Sequence, residues 1–357
     1  MRILVAWADD SSPNLGVRAL GQGSVDLLRQ AWPDAEFDYM NYRRRPDAIP
    51  WGSDRSLLRE RLTGRKGMMR WLADFDLVWD TRSGDSFADI YGLPRHVTMS
   101  LVHEFAVQAG TPVVLAPQTL GPFGTARGRL LARRSLHRSR LVFARDPISA
   151  GAATALGRAP DAVTSDLVFG LHQPAPEAAH DVLLNVSGLL WHGDAHGDAS
   201  TYRTAVREVI DGLLADGRSV TLLPHVLHAD NPDDDVPASR ELHAEYDGRV
   251  GLRVPQDLDD ARSAIAAAQL VIGARMHACL NALSTGTPTV AMAYSRKFAP
   301  LMDAIGWPHV VQLAETDGIG AAVLRHARLD GLRAKAAAAQ QQGQQQLLPL
   351  LERLGAL

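Results

Sequence analysis

Residues 273–298, GARMHACLNALSTGTPTVAMAYSRKF, set an arginine and a histidine at the head of an apolar stretch and an arginine and a lysine at its end. The run LVIGA (270–274) has the length and composition of a buried strand, and residues 276–284 follow with helical spacing. Gly286 and Pro288 stop that helix in the usual order, and PTVAMAY (288–294) forms the next strand, ending at Ser295-Arg296-Lys297. Two neighbouring parallel strands then carry Arg275, His277 and Lys297 at one edge, beside a helix N-terminus. Unpaired N–H groups and the helix dipole favour an anion there. The chemistry is that of a site for a small, strongly anionic molecule bearing a phosphate and a carboxylate. An internal salt bridge for Arg275 and a packing role for His277 would account for the same residues.

Other strand ends carry polar groups as well. The run 140–146 ends in Arg145-Asp146-Pro147 with Ser149 behind it, and 112–117 leads into Gln118-Thr119. The run 76–80 enters TRSGDSFADIYG, with Asp85 and Asp89; 182–187 ends at Ser187-Gly188, and 219–226 contains Pro224-His225. In open parallel sheets ligands bind beyond the carboxyl ends of the strands, so these residues are the ones to follow.

The elements that must position them alternate. Strand-like runs 3–8, 76–80, 112–117, 140–146, 162–166, 182–187, 219–226, 270–274 and 288–294 are interleaved with helical patterns at 15–31, 96–110, 126–138, 202–216, 258–268 and 276–284. Such alternation predicts an α/β fold with doubly wound parallel sheets. At 357 residues the chain exceeds the size of a single core. The Pro- and Ala-rich segment 171–180 divides the pattern into an N-terminal Rossmann-like domain (1–172) and a C-terminal one (181–330), facing across a cleft. A helical Ala/Gln tail (331–357) follows, either frayed on the surface or crossing back to the first domain.

A formal net charge of −3 gives no general reason to bind nucleic acid. The single cysteine, Cys279, excludes an intramolecular disulfide framework and a cysteine-cluster zinc site. No run approaches the ~20 apolar residues of a membrane span, and the N-terminus lacks the features of a signal peptide. A cytoplasmic protein is expected, working at the inner face of the membrane if at any.

Several motifs are set aside. GDSF (84–87) lacks the later Asp-x-x-His that an esterase nucleophile at Ser86 would need. HGDAHGD (192–198) alternates metal-ligand types but fits a Gly-rich mobile loop better. HADNPDDD (228–235) lacks the glycine and final glutamate of a calcium loop and is read as a solvated acidic turn. GPFGTARGRL (121–130) is not followed by GK[ST], so it is no P-loop. RGRLLARRSLHRSR (127–140) is the one basic patch, a solvated helix face that could meet anionic lipid or a lipid-linked diphosphate. No metal constellation emerges.

Taken in order, NLG (14–16), DTRSGDSFADIYG (80–92), APQTLGPF (116–123), ARDPIS (144–149), SDLVFGL (165–171), NVSGLL (185–190), PHV (224–226) and the 273–298 block resemble the polysaccharide pyruvyl transferase family. The chain departs from the family pattern at Val17, where an acidic residue is frequent, and at Ser83-Gly84, where a glycine pair is usual. The resemblance implies a GT-B-like two-domain enzyme that moves a pyruvyl group from phosphoenolpyruvate to two hydroxyls of a sugar, as a cyclic ketal. The product would belong to a cell-wall or exported glycan. Arg145, Arg275, His277 and Lys297 would hold the donor, helped by the backbone at Met276, with His225 and Ser295 beside them. His277 would serve as general acid, with Arg145 and Lys297 offsetting phosphate charge. Asn14, Asp85, Gln118 and Thr119 would line the acceptor, a sugar on a lipid-linked glycan, with Asp85 a candidate base. Phosphoenolpyruvate enters as co-substrate, and no further cofactor is called for. A GT-B glycosyltransferase using a nucleotide sugar, and an anion-binding protein without turnover, are the alternatives.

Overall fold

The computed structural model describes the chain except for residues 51, 52, 176, 195 and 196. Its contacts separate into two units. The first comprises Met1–Ser12, Leu20–Leu171 and Gln344–Leu357; the second comprises Pro13–Ala19 and His172–Gly343.

The first unit is built on strands β1 (Arg2–Ala6), β2 (Glu36–Met40), β3 (Leu77–Asp80), β4 (Val113–Gln118), β5 (Leu141–Ala144) and β6 (Ala162–Val163), in the order β2-β1-β3-β4-β5-β6. Every pairing is parallel. A parallel sheet is covered on both faces, so its strands are apolar along their length rather than alternating, and β3 and β4 are buried throughout. Register lines up Leu4, Val78 and Val113 on one face and Val5, Trp79 and Val114 on the other. Helix Leu93–Gln108 packs on the first face through Met99, Val102 and Phe105. On the other face the Trp79 indole donates to Ser24 Oγ at 2.9 Å, which lets its one polar atom be buried without loss.

The second unit repeats the plan with β7 (His180–Asn185), β8 (Val220–Leu222), β9 (Gly251–Leu252), β10 (Ala268–Gly273), β11 (Thr289–Ala293) and β12 (Val310–Gln312), ordered β12-β11-β10-β7-β8-β9 and again all parallel. Leu183, Val271, Ile265 and Ala282 join strand and helix faces in one core. Helices begin where side chains can take up the free N–H groups: Asp198 caps Ala199–Ala215, and Asp257 caps Leu258–Ala266.

Three strands, β2, β9 and β12, were not expected from the sequence. Two of them are short, and all three lie at sheet edges. β2, EFDYM, is half-exposed and interrupted by charge, as edge strands are. The expected strand 219–226 is only three residues long, because Pro224 turns the chain out of the sheet and Val226 pairs instead with Asn14. The tail forms helices Leu332–Gln345 and Leu348–Leu354, the second opening with Pro349 where a missing N–H costs nothing. Among the described residues no helix is long and apolar enough to cross a membrane.

Candidate functional site

In the second unit the strand order reverses between β7 and β10, and this switch point is where an open α/β sheet leaves a crevice beyond its carboxyl ends. Asn185 ends β7 and Arg275 follows β10. The Asn185 side chain accepts from the Arg275 backbone N–H at 3.0 Å and donates to Leu223 O and Asp235 Oδ2.

Asp235 is the centre of this arrangement. Its Oδ1 accepts from the Gly188 N–H (2.8 Å) and from Arg275 Nε (3.1 Å) and Nη2 (2.7 Å). Its Oδ2 accepts from the His225 and Val226 N–H groups (3.0 Å each) and from Asn185 Nδ2 (3.2 Å). The carboxylate is fully buried, which is tolerable only because every lone pair is used. Arg275 also donates through Nη1 to Asp233 Oδ1 and through Nη2 to Asp233 O. HADNPDDD is therefore not a solvated acidic turn. Asp233 and Asp235 neutralise a buried arginine, and the two carboxylates hold the Arg275 guanidinium strongly in its charged form against the opposing effect of burial. Of the two roles open to Arg275, the internal ion pair is the one the geometry displays.

His277 stands in the first turn of helix Met276–Ser284. Its ring lies against Gly16, the last residue of NLG, so closely that a Cβ there would come within 2.7 Å of Nδ1. Asn14 folds the same segment, accepting from the Gly16 N–H and pairing with Val226, while Leu15 N–H donates to His225 O. Asn14, expected on the acceptor side, thus shares a unit with His225 and His277.

His225 is buried and cannot readily ionise. Burial first, and then the electrostatic influence of His277 and of the Arg275 guanidinium, hold it well below the ordinary histidine range. Lys297 precedes the short helix Phe298–Ala304, and Ser295 lies at the carboxyl end of β11, its Oγ buried without a partner among the described residues.

The remaining expected site residues lie in the first unit. Arg145 is fully buried, donating from Nη1 to Asp166 Oδ2 at 2.5 Å and from Nε and Nη2 to Thr119 Oγ1. Thr119 N–H in turn donates to Gly84 O. Gln118 is buried with Nε2 on Asp80 O and Ala116 O, and Oε1 without a partner among the described residues. Asp85 accepts from the Tyr91 hydroxyl at 2.9 Å.

That sheet reverses between β1 and β3, and there Trp7, Arg82 and Ser83 all have positive φ (70°, 45° and 52°). Non-glycine residues held this way are strained, and the strain sits at the switch point. Arg82 is buried on Asp80, Ser100 and Ser135, with its guanidinium over the Phe87 ring, and His103 also contacts Asp80.

Of the motifs set aside, Ser86 accepts from Arg95 Nε. Asp198 of HGDAHGD caps a helix, while His196 lies outside the described residues. Among the described residues no three His, Cys, Asp or Glu are grouped to hold a metal. Helix Ala126–Arg138 exposes Arg127, Arg133 and Leu130, whereas Arg134 is paired with Glu104.

Sequence reasoning missed Asp235, Asn185 and the buried pair Arg262–Asn281. The available signal was spacing from a strand end: Asn185 closes β7, as Arg275 follows β10.

The family model described as polysaccharide pyruvyl transferase matches residues 14–296. No curated protein matches the chain significantly. Among solved structures, UDP-GlcNAc 2-epimerase from Neisseria meningitidis, bound to UDP-GlcNAc, is similar with a TM-score of 0.62 at 14% identity, covering 99% of each chain. The S. aureus MnaA–UDP structure gives 0.62 at 13% identity, covering 98% of this chain and 94% of that one. Anabaena Alr3699/HepE in complex with UDP-glucose gives 0.58 at 13%, covering 100% and 98%. At these identities the likeness is one of fold, the two-domain GT-B architecture.

Proposed function

The chain belongs to the polysaccharide pyruvyl transferase family, and we propose that it transfers the pyruvyl group of phosphoenolpyruvate to two hydroxyls of a sugar in a glycan precursor. The observation that carries this is the edge beyond β10 and β11, where His277 heads a helix and Lys297 follows the next strand. A phosphate and a carboxylate need that density of donors.

The reaction balances without a redox step. One sugar hydroxyl adds to C2 of the enol ester while C3 takes a proton from His277, and the hydroxyl's own proton restores the His277 imidazolium. The C2–O bond to phosphate then breaks, and the second hydroxyl closes on the oxocarbenium carbon, its proton leaving with phosphate. Because Asp233 and Asp235 neutralise Arg275, the donor's charge falls to Lys297, protonated His277 and the helix's first N–H groups. Arg275 then organises the site through Asp235 instead of gripping an anion. Preorganised charge of this kind is the main lever in such reactions. In the first unit, Thr119, Gln118 and Asp85 are offered for the sugar, while Arg145, expected to hold the donor, is buried on Asp166 and Thr119. The exposed arginines around Leu130 are where a lipid carrier or an anionic membrane surface would be met.

Thermal stabilisation tests the donor. A ligand at one hundred times its Kd adds about 2.7 kcal/mol. Stabilisation by phosphoenolpyruvate but not by UDP-sugars, lost in Lys297→Met, supports pyruvyl transfer. Stabilisation by UDP-glucose or UDP-GlcNAc alone would replace it with the nucleotide-sugar reading that the structural neighbours' ligands suggest.

A further inference from the structure

Beneath the site lies a buried chain of polar groups that the reaction does not itself use. Arg262 is fully buried within helix Leu258–Ala266 and donates from Nη1 to Asn281 Oδ1 and to Ser284 Oγ, both at 2.8 Å. Asn281 donates from Nδ2 to His277 O at 2.7 Å and meets His225 Nε2 at 3.2 Å.

These contacts leave one arrangement of the amide. A guanidinium only donates and a backbone carbonyl only accepts, so Arg262 fixes the Asn281 oxygen and His277 O fixes its nitrogen. Reversing the amide would set donor against donor and acceptor against acceptor. The Nδ2 group facing His225 is therefore a donor, and His225 Nε2 must accept. An imidazole that accepts at Nε2 is neutral and carries its proton on Nδ1.

We propose that Arg262 and Asn281 are positioning residues that lock His225 as the neutral, Nδ1-protonated imidazole, so that it adds no charge beside His277. The groups bearing on His225 are Asn281 at Nε2, Asp235 at its backbone N–H, and the charges of His277 and Arg275. Its low proton affinity agrees with the lock. The consequence reaches His277, since two adjacent imidazoliums repel one another. A neutral His225 leaves the proton to His277, the acid of the reaction. That consequence rests on the pyruvyl-transfer reading, whereas the tautomer does not.

The test is the long-range ¹⁵N–¹H correlation of ¹⁵N-histidine-labelled protein, with His225 assigned by the signal lost in His225→Gln. Wild type is expected to show a single Nδ1–H pattern for His225 that does not titrate between about pH 8 and about pH 5.5, across the range where a free imidazole changes charge. In Asn281→Ala that pattern is expected to give way to mixed tautomers or to a titrating ring. The basic limb of kcat/KM for phosphoenolpyruvate then moves to lower pH, with a loss of up to about 100-fold. An Nε2–H or charged His225 in wild type at neutral pH overturns the proposal, as does an unmixed Nδ1–H ring in the variant. If Asn281→Ala does not fold, the wild-type spectrum decides. Absence of turnover with phosphoenolpyruvate would refute the function while leaving the spectra to judge the lock.

Discussion

A Cβ on Gly16 would lie 2.7 Å from Nδ1 of His277 and 2.9 Å from its Cβ, so the two residues fit only with glycine at position 16. The clash reaches the His277 Cβ, and ring rotation cannot relieve it. Gly16→Ala is expected to shift His277 and, if His277 is the acid proposed above, to lower kcat by up to about 100-fold, the effect of a misplacement near 1 Å. Stability should fall by about 1–3 kcal/mol, the usual range for overpacking. Steady-state kinetics beside urea unfolding separates the two, and a variant with wild-type kcat would remove His277 from the chemistry.

The Arg275–Asp235 pair predicts a different signature. Removing one partner of a buried ion pair costs about 3–5 kcal/mol, because the other is left uncompensated. Arg275→Ala and Asp235→Asn should each lower the unfolding midpoint steeply, with much of the loss shared in a double-mutant cycle. Were Arg275→Ala to weaken phosphoenolpyruvate binding at full stability, Arg275 would be a ligand of the donor after all.

His96 gives the fold a pH limit. Burial, and then the charge of Arg82, lower its proton affinity from 6.5 to about 4. The unfolded chain takes up the proton more readily, so this contribution is complete above pH 6.5 and is lost as pH falls towards about 4. Its size is at most about 3 kcal/mol. The urea midpoint of wild type should fall across that window. That of His96→Gln, whose amide can still donate to Gly128 O, should fall less. Parallel curves for the two proteins would refute the assignment.

Gly188 and Gly193 make a matched pair. A Cβ at Gly188 would sit 1.9 Å from Asp234 O, whereas at Gly193 the nearest atom is 3.4 Å away. Gly188→Ala is expected to cost about 3 kcal/mol or more, since it also drives the Gly188 N–H from Asp235. Gly193→Ala should change stability by less than about 1 kcal/mol. Equal, small effects would show that the Asp234 turn yields.

The strand-end residues were legible because apolar runs and stop signals are local. Helices 15–31, 126–138 and 276–284 lie where their spacing placed them, and Arg275 and His277 head the helix as expected. Partnership was not legible. Arg275 finds its carboxylates 40 and 42 residues upstream, in a stretch whose composition alone spells solvent. Asn281 meets His225 across 56 residues. A buried carboxylate becomes reasonable only once six donors have been brought to it by separate segments, and one-dimensional spacing carries no record of that convergence. The edge strands were hidden for the opposite reason, since half-exposed strands need little apolar character.

Asp235 ties together the ends of β7, β8 and β10 and the start of helix Asp235–Glu245. Mechanically, the three loops that follow these strands are one body. Lengthening or trading any one of them would strand a charge for the others, so this rim is closed to piecemeal remodelling. Ser295 and Lys297, beyond the end of β11, lie outside the knot, so a side chain there can be exchanged without untying it.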